Sequence, residues 1–337
     1  MKMTTLTAVA LVIPAAAFAQ SRENIRVVGS STVYPFTTAV AENFARESDF
    51  PPPVVESTGT GGGFQIFCEG IGAGTPDIND ASRAMASSEE EMCAGNGVES
   101  VTEIQIGNDG IVLAMDGGQE QFSVTPAELF QALAAETVQD GEIVDNPYQN
   151  WSDINSDFPE QEIVVFGPPT TSGTRDAFVE LAMETGCEEF EAVTSLEEER
   201  MSEVCTSMRS DGGFVEAGEN DNVIVQRLSS QPGSVGIFGY SYYDQNTSSL
   251  TALSVNDAQP TAENIAAEDY PLSRPLFIYV KDQHVGVIPG LAEFLEYYTS
   301  DAAWGPDGFL VEQGLIPMAE ERRSEVSETV AALGSSN

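Results

Sequence analysis

Apolar and polar positions along the chain alternate between strand-like and helix-like spacing. Residues 24–29, NIRVVG, form a short apolar run of strand type. The following SSTVYPFTTAVAENFARES sets Val33, Phe36, Val40 and Phe44 on one helical face, with Pro35 suited to the first turn. The same order recurs where PPVVEST reads as extended, GTGGG as a loop and FQIFCEGI as the start of a short helix. It returns where EIVVFG leads through PPTTSGT into RDAFVELAMETG. Three units of strand, small-residue loop and helix predict an α/β architecture with mostly parallel strands.

Elsewhere the pattern is less regular. Residues 116–142 read as turn, helix and loop, and residues 146–158 as irregular. VIVQRL, SVGIFGY and PLFIYV read as strands, and residues 312–337 as an acidic helix with a loose tip. No linker rich in Pro, Gly or Ser divides the chain, and no repeat of fixed period is visible.

The first twenty residues change the compartment. Lys2, an apolar run from Leu6 to Phe18 and small residues at Ala17 and Ala19 form a secretory leader, residues 1–19, with the mature chain expected from Gln20. The run is shorter than the roughly 20 residues that cross a bilayer. The rest of the 337 residues suffice for two domains, each with its own core. Export places Cys68, Cys93, Cys187 and Cys205 where disulfides persist, and their local separations favour Cys68–Cys93 and Cys187–Cys205 among the three possible pairings. His284 is the single histidine and reads as a surface loop residue; with no C-x-x-C, no metal site is expected.

Charge narrows the partners. Against 54 acidic residues stand 13 lysines and arginines, for a net charge of −41. Such a chain repels nucleic acid and anionic lipid, and reads as a solvated acidic surface suited to salty surroundings. An anionic ligand would have to be held by short-range donors, with salt screening its approach over about 10 Å.

Three loops offer those donors: GSST at 29–32, TGTGGG at 58–63 and TSGT at 171–174. Each sets hydroxyls and flexible glycines before a helix, whose free N–H groups and positive dipole end favour an anion. One such loop is an ordinary N-cap and turn. Three in one chain, with no nucleophile and no basic cluster, point to an anion site built from neutral dipoles. TGTGGGF lacks the third glycine of a dinucleotide fingerprint, and neither G-x-x-x-x-G-K-[ST] nor G-x-S-x-G occurs, so no cofactor is expected.

The segments GSSTVYPF, GTGGGF, DINDASRAM, GNDGIVLAM, TSGTRDAF, PGSVGIFGY and YPLSRPLFIYV, in that order across nearly the whole mature chain, resemble the periplasmic phosphate-binding proteins of ABC transporters. The resemblance implies a type II two-lobed binding protein with mixed, mainly parallel sheets and two hinge strands. Lobe one would be residues 20–113 with 271–337, and lobe two residues 114–270. It implies a periplasmic, monomeric protein that closes over dehydrated phosphate and docks on a membrane permease. Carried over by position, it gives Thr32 and the Val33 amide, Thr60, and Ser172, Gly173 and Thr174 as ligand donors, with Ser31 as a further contact.

Two positions depart from the resembled pattern. Arg83 stands where the family places an Asp, and GPPTT holds no cation where the family has an Arg. Arg83 and Arg175 are therefore expected to supply the guanidinium fork. Asp109 is expected to accept the phosphate proton and so reject sulfate, with Asp80 second in line. Tyr34, Phe64 and Tyr240 are candidates for the cleft wall. The rivals are another tetrahedral oxyanion (sulfate, molybdate or arsenate), a secreted phosphatase, which the lack of a nucleophile or metal cluster disfavours, and an acidic structural protein with no small ligand.

Overall fold

The computed structural model describes Arg22 and residues 24–170, 172–218 and 221–335. The expected leader lies outside the described residues, as does Thr171. One continuous sheet runs through the molecule, built from β1 (Arg26–Gly29), β2 (Val54–Ser57), β3 (Ile78–Ala81), β4 (Val101–Asp116), β5 (Val165–Gly167), β6 (Phe214–Glu216), β7 (Val235–Gly239), β8 (Leu250–Ala252) and β9 (Ser273–Lys281). Its order is β2-β1-β3-β9-β4-β7-β5-β6, with β8 also on β4.

The long β4 joins two sheets. Its residues 101–110 pair antiparallel with β9, and residues 111–115 pair antiparallel with β7. The outer strands on each side, β1 with β2 and β3, and β5 with β7 and β6, are parallel, as expected for strand-loop-helix units. The chain is thus a two-lobed α/β protein in which β4 and β9 run along the junction.

Both faces of each half-sheet are covered, which is why IVLAM is a continuous apolar run. Ile111, Leu113 and Met115 enter a core with Phe130, Trp151 and Phe178, while Val112 and Ala114 enter another with Phe166, Ile224 and Phe238. In the first lobe Val27, Phe36, Val40, Phe294 and Trp304 share one core, and Phe64, Phe67 and Tyr279 another. Each large side chain buried this way contributes about 2 kcal/mol.

Helix α1 (Tyr34–Glu47) buries Phe36, Val40 and Phe44, in line with their spacing. The disulfides join Cys68 to Cys93 and Cys187 to Cys205, one in each lobe.

Three expectations need correction. VIVQRL is not a strand; it lies in a helix, Asp221–Ser230, that buries Ile224 and Leu228, four residues apart, against the sheet. GTGGG is mostly helix, because α2 (Thr60–Phe67) begins at Thr60 and takes in three glycines, leaving Gly59 before it. At Gly63 a Cβ would collide with the Asn79 side chain and the Gly29 backbone, so the missing side chain lets α2 settle onto β1 and β3.

His284, read as a surface loop residue, is buried: Nδ1 lies 2.6 Å from Asp77 and Nε2 2.9 Å from the Ile71 carbonyl. It belongs to a group of basic side chains that hold the loop before β3. Arg22 donates to the carbonyls of Ala73 and Thr75, Arg26 to that of Gly74, and Lys281 Nζ to that of Gly70. Burial pushes Lys281 down to about 8.

Candidate functional site

Where the lobes face each other, the starts of α1 and α2 and the end of β3 meet a helical run from the other lobe. That run comprises α3 (Gly173–Phe178) continuing through Val179–Glu184 and Thr185–Cys187. Two adjoining cavities open there, of about 500 and 190 Å³. The larger is lined by Ser31, Thr60, Ser82, Arg83 and Arg274 on one side and by Asp176, Glu180 and Glu184 on the other. The smaller is lined by Asp109, Ser172, Gly173, Thr174 and Tyr240, and both include Ser31 and Thr32.

The three donor loops therefore converge. Thr60 Oγ accepts the Ser82 amide at 3.2 Å and shares a hydrogen bond with the Ser82 hydroxyl at 3.1 Å, so the hydroxyls of α2 and β3 form one pair. Ser30 Oγ accepts the amides of Thr32 and Val33 at 3.2 and 3.4 Å, which turns the 29–33 loop into α1. Gly173 fits because its missing side chain admits the Thr32 backbone; a Cβ would come within 3.2 Å of Thr32 Cα.

The charged groups are arranged differently from the sequence expectation. Arg83 lines the larger cavity, but its guanidinium forks onto Glu89 at 2.8 and 2.9 Å and lies over Phe64, itself fully buried in the core. Burial pushes the Glu89 carboxyl up, but the hydrogen bonds from Arg83 and the Ala86 amide, together with the charge of Arg83, outweigh it and hold Glu89 below the usual range. Arg175 does not face this cleft. Its guanidinium stacks over Phe214 at 4.4 Å and lines a separate cavity with Arg209 and Glu216, because residue 175 falls on the core-facing side of α3.

The buried cation is Arg274, only 4 % exposed. Its Nη2 donates to Thr32 Oγ at 2.8 Å, Nη1 bonds Glu180, and Nε makes no hydrogen bond, with Asp109 Oδ2 at 3.8 Å. Arg274 sits directly opposite Asp109 in the β9–β4 register. Arg274 is not among the site residues expected from the sequence, although a rare cation inside the apolar strand of YPLSRPLFIYV is the signal that marks it.

Of the two candidate carboxylates, Asp80 is buried and Asp109 is partly buried, its side chain 16% exposed. Burial pushes Asp109 up against the opposing pull of Arg274. Burial also pushes Asp80 well up, with one hydrogen bond from Thr37 at 3.0 Å. Asp80 faces Thr37 and Tyr298 on the α1 side, whereas Asp109 lines the smaller cavity. Tyr34 is exposed. Among the described residues no group of three His, Cys, Asp or Glu could hold a metal, and no helix is long and apolar enough to cross a membrane.

Two lobes joined by crossing strands, with a polar cleft between them lined by helix starts and hydroxyls, define a solute-binding protein. The chain belongs to the PBP superfamily, whose domain model matches residues 14–302, and within it to the PstS-like family. It is 31% identical over 309 residues to Protein SphX of Synechococcus elongatus, covering 87% of this chain and 81% of that protein. It is 28% identical over 280 residues to the phosphate-binding protein PstS of Staphylococcus saprophyticus, covering 81% of this chain and 75% of the relative. A solved structure of a possible phosphate binding protein from Planctomyces limnophilus superposes with a TM-score of 0.73 at 30% identity, covering 92% of this chain and 98% of that one.

Proposed function

We propose that this protein captures inorganic phosphate outside the cytoplasm and delivers it to a membrane permease for ABC-type import, without chemistry of its own. The observation that carries the reading is the convergence of Thr32, Thr60, Ser82, Ser172, Gly173 and Thr174 around a cleft with one buried guanidinium, Arg274. Hydroxyls and amides replace the hydration shell of a tetrahedral oxyanion, and Arg274 supplies a positive charge beside it. The relatives named for phosphate binding support the choice of anion.

The lobes, residues 20–113 with 271–337 and residues 114–270, close as two bodies about β4 and β9. Ligand favours closure only through its greater affinity for the closed form. Asp109 takes the proton of the bound anion: a partly buried carboxylate accepts a P–OH group and repels fully ionised sulfate. The monomer leaves the cytoplasm through its leader and works in the periplasm.

Titration calorimetry with phosphate, followed by competition with sulfate, tests the reading. Tight phosphate binding that a large excess of sulfate does not displace is expected. Displacement at comparable concentrations defeats the Asp109 assignment, and turnover of an aryl phosphate by the pure protein defeats the binding-only reading.

A further inference from the structure

The helical run 173–187 brings a row of carboxylates to a cleft that should welcome an anion. Asp176, Glu180 and Glu184 lie four residues apart and all line the larger cavity. They face two guanidiniums, Arg83 and Arg274, and Arg83 is already held by Glu89. The Asp176 carboxylate accepts the Ser31 hydroxyl at 2.6 Å, and Glu180 accepts from Arg274, so lobe-two carboxylates already sit on two lobe-one donors.

The surroundings of Glu180 and Glu184 are mixed. Arg274 approaches from β9 and Arg83 from beyond β3, while Asp109 on β4 stands behind Arg274. Glu180 on the same helical run and Glu188 just past its end flank Glu184, and burial together with those neighbours pushes Glu184 up. The cleft thus has more carboxylate oxygens than cations to balance them. A dianion there meets like charge on several sides, while an anion with two protons can donate to two carboxylates at once. Arg274 still has a buried Nε without a hydrogen bond, one donor free for such a ligand.

We propose that Asp176, Glu180 and Glu184 set the charge state of the ligand, so that the cleft takes phosphate as its dihydrogen monoanion in preference to the monohydrogen dianion. This rests on the phosphate reading and goes beyond it. Asp109 accounts for one proton, and the helical carboxylates require a second. Protonation of the ligand, rather than a lysine-rich mouth, lets an acidic cleft hold an anion.

The test is calorimetric titration of the full mature chain with inorganic phosphate, in buffer containing a chelator. Measurements at about pH 6 and about pH 8.5 straddle the second ionisation of phosphate. Wild type, Asp176→Asn, Glu180→Gln and Glu184→Gln are compared, with thermal melts confirming that each variant folds. Asn and Gln keep the hydrogen-bonding shape and remove the charge. The readout is the ratio of affinities at the two pH values, which a purely structural loss leaves unchanged.

Wild-type affinity is expected to fall about tenfold or more on going to the higher pH, and Glu180→Gln to reduce that fall to about threefold. Equal or tighter wild-type binding at the higher pH overturns the proposal, as does an unchanged ratio in all three variants. Recovery of affinity at high pH when a divalent cation replaces the chelator also overturns it, by making a metal-phosphate complex the ligand. Absence of phosphate binding to wild type at both pH values is a separate result that sinks the phosphate reading itself.

Discussion

Replacing Arg274 gives the sharpest test of where the positive charge of the cleft resides. Its side chain is almost wholly buried, donates to Thr32 at 2.8 Å and to Glu180, and lies 3.8 Å from Asp109. A hydrogen bond to a charged group contributes about 1.5–3 kcal/mol, and each 1.4 kcal/mol is tenfold in affinity, so losing one such bond costs roughly ten- to hundredfold. Arg274→Met also leaves Glu180 and Asp109 uncompensated beside the anion, and the combined loss comes to about a hundred- to a thousandfold in phosphate Kd. Arg274→Lys keeps the charge but not the planar fork, and should fall between, near tenfold.

Stability must be followed in the same experiment. Breaking a buried ion pair by removing one partner costs about 3–5 kcal/mol, and because Glu180 is 39% exposed the lower end or less applies here. Calorimetry well below the melting temperature, with circular dichroism to confirm folding, separates the two effects. A folded Arg274→Met protein that binds phosphate within about threefold of wild type refutes the assignment of Arg274 as the anion's charge partner.

Three further outcomes follow from the geometry. Thr60→Val removes the oxygen that accepts the Ser82 amide and joins the cleft hydroxyls, and should weaken phosphate binding about tenfold by calorimetry, with a melting temperature lower by a few degrees because the Ser82 amide loses its acceptor. Arg175→Met should leave phosphate affinity within about twofold while lowering the melting temperature by a few degrees, because the guanidinium stacks on Phe214 away from the cleft; a large loss of affinity contradicts that placement. Lys281 has its folded value pushed from 10.5 to about 8 by burial, so between these values the unfolded chain binds more protons and stability rises with pH. Denaturant melts at about pH 8 and about pH 10 should show that rise in wild type beyond any in Lys281→Met, and identical profiles in the two proteins count against it.

The sequence shows the lobes and donor loops because their signals are local. Val33, Phe36, Val40 and Phe44 announce α1 within a dozen residues, and TSGT announces the start of α3 in four. Cys68 with Cys93 and Cys187 with Cys205 are close enough along the chain for proximity to suggest the pairs. VIVQRL misleads because β-branched residues occur on sheet-facing helices too, and packing of Ile224 and Leu228 overrides propensity.

The charges of the site are not local, and there the reading from sequence thins out. Asp109 and Arg274 meet only because β4 and β9 pair in one register, across a long stretch of chain that no local pattern encodes. Arg83 and Arg175 sit beside donor loops in sequence, yet one is taken by Glu89 and the other by the ring of Phe214, since a long side chain next to a loop can point to either side of it.

The distribution of cations explains how so acidic a chain can hold an anion. Arg22, Arg26 and Lys281 are engaged by Asp77 and the carbonyls before β3, and Arg209 by Asp211. Among the described residues lining the two cleft cavities, the cations are Arg83 and Arg274. The attraction is therefore confined to a few ångströms inside a cleft, while the repulsion of a net charge of −41 spreads over a surface that salt screens within about 10 Å. Added salt weakens the long-range repulsion far more than the buried contacts, so it should speed association while leaving dissociation nearly unchanged, the reverse of what a positively charged receptor shows.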